Sequence, residues 1–251
     1  MQIQYCSDLH LEFPENEKYL INNPLSVKGD ILILAGDIVP FKIMGNYEDF
    51  FDYLSEKYKY TYWVPGNHEY YYYDISDKTG IINEKIRDNV LLVNNTTVKH
   101  GDVNMIFSTL WTKINLDNSF SIQSGMSDFH VIKDNKKAFT INKYNALYEA
   151  GVDFITDEIK NIKGKTIVVT HHVPTFYNYP KKYKGSVLNS AFAVELFDLI
   201  EKSNIDYWIY GHSHYNTKDF NIGKTKMLTN QLGYVQYGEH SLFSGNKFIK
   251  F

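Results

Sequence analysis

Short apolar runs separated by amphipathic stretches recur along the whole chain. Residues 2–6, 31–34, 61–64, 90–93, 103–108, 166–170, 207–210, 226–229 and 247–250 are strand-length and rich in Ile, Val, Leu and aromatics. Several are apolar throughout, which suits strands covered on both faces. Between them the period changes. Tyr47, Phe50, Phe51, Leu54 and Tyr58 recur at three- and four-residue spacing, which predicts a helix with one buried face. Ile141, Tyr144, Tyr148, Val152, Ile155, Ile159 and Ile162 continue that spacing, with Gly164 placed to cap the end. A third helix is expected over about residues 190–203, burying Phe192, Leu196, Leu199 and Ile200. The stretch from Trp111 to about Lys137 has weak periodicity and many polar residues. It reads as an irregular excursion of the kind that often borders a site.

Strands alternating with helices predict an α/β fold, and the 251 residues, without internal repeat or Pro/Gly/Ser linker, are read as one domain over 1–251. Composition narrows the class. Hydrophobic residues at 43% and charged residues at 22% exclude disordered and fibrous chains. No apolar run approaches a membrane span, and the start, Met1-Gln2-Ile3-Gln4-Tyr5, enters a strand without the regions of a signal peptide. The single cysteine, Cys6, leaves no internal disulfide and no Cys-based zinc site. A reducing, cytoplasmic location is expected. A net charge of −3 gives no footprint for nonspecific nucleic-acid binding.

The chemistry sits where the predicted strands end. Asp8 and His10 follow the first; Gly36 and Asp37 the second; Gly66, Asn67, His68 and Glu69 the third. His171 and His172 follow residues 166–170, and Gly211, His212, Ser213 and His214 follow residues 207–210. In open α/β sheets ligands bind beyond the carboxyl ends of strands. Singly, each segment reads as an ordinary turn or surface pair. Together they hold six of the nine histidines. Asp, His and Asn are hard-oxygen and imidazole donors, suited to Zn²⁺, Mn²⁺ or Fe rather than Ca²⁺ or Cu⁺. They are too many for one tetrahedral ion, so two divalent metal ions sharing a bridging group are expected.

In these segments the chain resembles the calcineurin-like metallophosphoesterases. The resemblance is carried by Asp8-Leu9-His10, Gly36-Asp37, Gly66-Asn67-His68-Glu69, His171-His172 and Gly211-His212-Ser213-His214, with Leu110-Trp111-Thr112 and Asn230-Gln231-Leu232-Gly233-Tyr234 similar to landmarks of small bacterial and phage members. It implies a four-layer sandwich of two mixed β-sheets flanked by helices. It implies that Asp8, His10 and His214 hold one metal, that Asn67, His171 and His212 hold the other, and that Asp37 bridges them; His172 is the alternative to His171. The activity implied is phosphoester hydrolysis, as phosphatase or phosphodiesterase, on a small phosphorylated molecule or nucleotide. In that activity the two metals would supply hydroxide for attack on phosphorus, and His68 would protonate the leaving oxygen or contact the phosphate.

One departure stands out. Many members carry an acid just after Gly-Asp that orients the catalytic His, whereas the run here is Gly36-Asp37-Ile38-Val39-Pro40, so His68 has no partner by sequence. Substrate-binding residues are not assigned either. Tyr70-Tyr71-Tyr72-Tyr73 is a candidate stacking wall; Lys181, Lys182 and Lys184, with Tyr177, Tyr179 and Tyr183, are candidates for a second phosphate or a nucleic-acid backbone. Cys6 is read as core filling, and His100, His130 and His240 as ordinary. Two rivals remain: a Mn-dependent nuclease sharing these motifs, and a non-catalytic scaffold of the same fold, although such scaffolds usually lose several ligands and this chain keeps each one. A metallo-β-lactamase-type zinc site is excluded, because Tyr215 and Asn216 follow His214.

Overall fold

The structure, a computed structural model, describes residues 1–251. Two six-stranded mixed sheets carry it. Sheet I runs in the order Phe248–Lys250, Gln2–Cys6, Ile31–Ala35, Tyr60–Val64, Val90–Asn94, Ile82–Arg87. Sheet II runs Phe220–Ile222, Thr225–Leu228, Tyr207–Ile209, Lys165–Thr170, Val103–Ser108, Thr96–His100. The four central strands of each sheet are parallel, and both edges of each are closed by antiparallel strands.

The pleat sorts side chains into layers. Ile31, Ile33 and Ala35 face the gap between the sheets with Ile3, Tyr62, Met105, Phe107, Ile167 and Val169. Their neighbours Leu32 and Leu34 turn the other way and pack with Trp63, Phe51 and Leu54 under the helix Glu48–Lys57. On the far side of sheet II, Ile106, Val168 and Trp208 meet Ile155 of the helix Ile141–Asn161 and Ile200 of the helix Phe197–Lys202. Helix, sheet, sheet, helix is the expected four-layer sandwich. Cys6 is buried among the outer-face residues of sheet I.

Three local expectations need correction. The third helix is only Phe197–Lys202, because residues just before it bond elsewhere: Val194 N donates to Val173 O and Leu196 N to Pro174 O. Gly164 does not cap the long helix, whose cap is extended Ile162; it turns the chain at φ +100° beyond it. The excursion after Trp111 contains the short helices Ser119–Gly125 and Asp128–Val131 and a two-stranded ribbon, Lys133–Asp134 with Lys137–Ala138. No helix is long and apolar enough to cross a membrane.

Candidate metal centre

The parallel strands of both sheets end on one side, and there the sheets close on each other through a bridge between Ser7 and Gln231. The loops leaving these ends bring seven expected ligands together. Asp8, His10, Asp37 and His214 form one group whose donor atoms all lie within 4.8 Å, and Asp37, His171 and His212 form a second. Asn67 joins the second through its amide oxygen, 3.2 Å from His171 Nε2. Asp37 belongs to both: its Oδ2 is 3.7 Å from His10 Nε2 and 3.3 Å from His171 Nε2.

His172 is not in the cluster. Its Nδ1 donates to the Thr109 carbonyl and its ring packs near Trp111 and Tyr144, where burial and the adjacent His171 lower its pKa to about 3. His171 is the residue that faces inward.

Hydrogen bonds behind the cluster fix which nitrogen of each ring faces it. His171 Nδ1 donates to the Ala35 carbonyl at 3.0 Å, His10 Nδ1 to Glu12 at 3.1 Å, and His214 Nδ1 to Glu239 at 2.8 Å. Each ring then presents Nε2, the arrangement by which proteins orient imidazole toward a metal. Asn67 Nδ2 donates to Asp128 at 3.0 Å, which turns the amide oxygen inward.

The donor set fits divalent cations. His10 Nε2 and His214 Nε2 lie 2.9 Å apart with both Nδ1 protons already committed, so two lone pairs confront each other unless a cation or proton lies between them. His171 Nε2 faces Asp37 Oδ2, Asn67 Oδ1 and His212 Nδ1, a second convergence of electron pairs. His212 Nε2 is buried without a partner. The loops also leave no room for side chains: a Cβ on Gly66 would run into the Asp37 carboxylate and the His171 ring, and one on Gly211 would stand 2.6 Å from Asp8 Oδ2.

The metal-free electrostatics show the demand for positive charge. Burial alone would lower His171, but the Asp37 carboxylate reverses this and raises it to about 9. Asp8 and Glu239 outweigh burial at His214 and raise it to about 10. Burial would raise Asp37, yet the neighbouring histidines hold it well below the carboxylate range. His212 is driven down by burial and by His172 and His171.

His68 stands beside the cluster. Glu12 Oε1 accepts from its Nδ1 at 3.0 Å and from His10 Nδ1, so one carboxylate orients both rings. The two histidines hold Glu12 down to about 2 against the upward pull of burial. The partner missing after Gly36-Asp37 therefore comes from the first loop, two residues beyond His10. The His68 ring stacks on Tyr71 at 4.0 Å, and its Nε2 lies 3.4 Å from the Tyr234 hydroxyl. Glu69 is a further residue the sequence did not single out for a role: its carboxylate accepts from the backbone N–H of Asp37, Ile38 and Gly66 and from Trp63 Nε1, pinning the Asp37 loop.

A cleft opens next to the cluster, bordered by Met126 and Ser127 of the excursion. Of the tyrosine run only Tyr71 lines it; Tyr70 is in the core, Tyr73 packs on Phe41, and Tyr72 points to solvent. Tyr179 and Tyr183 line it, whereas Lys181, Lys182 and Lys184 do not, and Tyr177 packs on Phe197 and Phe220. His100, His130 and His240 lie away from it, with Tyr62, Ser124 and Tyr19 as neighbours.

A sequence model of the family described as calcineurin-like phosphoesterase matches residues 1–216. The chain belongs to that family. Among the relatives of this phosphoesterase, the uncharacterized protein L509 of Acanthamoeba polyphaga mimivirus is 34% identical, with 92% of this chain and 91% of that protein aligned. Among solved structures, the phosphopantetheinyl hydrolase PptH of Mycobacterium tuberculosis superposes with a TM-score of 0.73 at 15% identity, covering 99% of this chain and 95% of the other. At that identity the likeness is one of fold.

Proposed function

We propose that this phosphoesterase hydrolyses a small phosphomonoester or phosphodiester at a centre of two divalent cations, Mn, Zn or Fe. Asp8, His10 and His214 would hold one, Asn67, His171 and His212 the other, with Asp37 common to both. What supports the reading is the place of Asp37, with Oδ2 3.7 Å from His10 Nε2 on one side and 3.3 Å from His171 Nε2 on the other. Cations so held supply Lewis acidity, drawing charge from the phosphoryl oxygens and acidifying water.

The chain's own part falls to His68. Burial would lower its pKa, but Asp37 and the Glu12 carboxylate that holds Nδ1–H raise it. Nδ1–H is committed to Glu12, and Nε2–H, on the Tyr234 side, is free to protonate the leaving oxygen. A positioned acid of this kind contributes about 10²–10⁴ in rate. The Tyr71 face keeps the ring from turning away.

The test is a paired assay. Protein stripped of metal and reloaded with Mn²⁺ or Zn²⁺ is offered p-nitrophenyl phosphate and bis-p-nitrophenyl phosphate, with bound metal counted alongside. About two ions per chain and turnover of at least one ester are expected, and Asp37→Asn should lower kcat/KM by about 10²–10³ while losing bound metal. Full activity in Asp37→Asn would sink the assignment.

A further inference from the structure

The cleft beside the cluster has a volume of about 380 Å³, near the lower end of small-molecule sites, which run from about 300 to 1,000 Å³. Tyr71, Tyr179, Tyr183, Phe192 and Tyr234 are among its lining residues. Tyr71 lies flat on His68 at 4.0 Å; Phe192 lies against His212 at 4.7 Å; Tyr179 and Tyr183 stand 5.9 Å apart on the loop after His172. No lysine or arginine is in the lining, and an acid, Glu239, is. Lys182, on that same loop, holds its ammonium over the rings of Tyr183 at 4.6 Å and Tyr215 at 5.4 Å, and its charge acts on Glu239.

Sites for polyphosphates or nucleic-acid strands commonly set Lys or Arg against the further phosphates. Here a second phosphate in the cleft would meet the acid Glu239, aromatic rings and the neutral polar residues Ser127, Ser186, Asn189 and Ser213, with no lysine or arginine in the lining. Resting on the phosphoester reading, we propose that the substrate carries a single phosphoryl group on an uncharged, ring-bearing alcohol, and that Tyr179, Tyr183 and Phe192 receive the ring. The cluster takes the charge, and the cleft takes the neutral remainder. Aromatic faces recognise a planar ring in offset or edge geometry and gain more from it than from an aliphatic group of the same reach.

Binding rather than turnover tests this. The Mn²⁺-loaded protein is titrated calorimetrically with methylphosphonate, benzylphosphonate and p-xylylenediphosphonate, which are not hydrolysed. Benzylphosphonate should bind about tenfold more tightly than methylphosphonate, and the second phosphonate should add no more than the twofold statistical advantage of two equivalent ends. Tyr179→Leu and Tyr183→Leu, made separately, should each cut the benzyl-over-methyl ratio to threefold or less. Equal binding of the methyl and benzyl compounds overturns the ring subsite while leaving the phosphoester reading standing, as does a further tenfold gain from the second phosphonate. Failure of all three to bind overturns both.

Discussion

Asp8, His10, Asp37, His212 and His214 have φ of 55°, 48°, 54°, 71° and 46°, left-handed backbone that L-residues seldom adopt. Each such residue costs on the order of 1–3 kcal/mol, and it persists only where the surroundings over-determine it. Here they do: Asp8 N donates to Gly36 O, His10 N to Asp37 O, and His212 N to Asp8 Oδ1. The same reversal explains why Glu12 was invisible. It lies two residues past an expected ligand, but with His10 left-handed no spacing rule says where its carboxylate points. Because Glu12 touches both His10 and His68, its removal separates into two effects. Glu12→Ala should weaken metal affinity and, at saturating metal, still leave kcat down by about 10–100-fold, with Glu12→Gln intermediate. A rate fully restored by excess metal would assign Glu12 to His10 alone.

At the level of elements, the central strands were readable because both faces are buried, so they are uninterrupted apolar runs. The edge strands Ile82–Arg87 and Thr96–His100 were not, since they expose Asn83, Glu84, Lys85 and Lys99 and carry little apolar signal. The helix Pro14–Asn22 was missed for a related reason: its one buried residue is polar Asn16, whose Nδ2 ties Leu9 O to Gly233 O. The ligand-bearing turns were legible as short motifs, and their precision depends also on motif residues that offer no ligand atom. Gly66 is one. Its hydrogen faces Asp37 and the His171 ring, so Gly66→Ala must push one of them aside. The expected outcome is a folded protein, by circular dichroism, that retains at most about one metal per chain; unchanged retention of two would mean the loop yields instead.

On the scale of the molecule, the two sheets are rigid supports meeting at a charged seam, so the fold and the seam share one stability. Occupancy at a thousandfold excess over Kd adds about 4 kcal/mol per site, which in a chain this long moves Tm by roughly 8–16 °C. Chelation should reverse that shift. Its pH dependence follows from His171 and His214, raised to about 9 and about 10 above the ordinary 6.5. A proton held more tightly in the folded state stabilises fully below pH 6.5 and less as pH climbs through those values. Metal needs the same rings neutral, so its affinity rises over that window. The Tm gap between loaded and stripped protein should therefore widen from pH 6.5 toward about 9–10, as scanning calorimetry would record; a constant gap would contradict it. The tryptophans carry another consequence. Trp63 Nε1 donates to Glu69, Trp208 Nε1 to Thr170 just before His171, and the Trp111 ring lies 5.2 Å from His172. All three indoles of the chain are thus wired to the loops around the centre. The intrinsic ultraviolet emission of this protein should therefore shift as the centre fills, an optical gauge with no dye required; emission unchanged through a Mn²⁺ titration to saturation would contradict it.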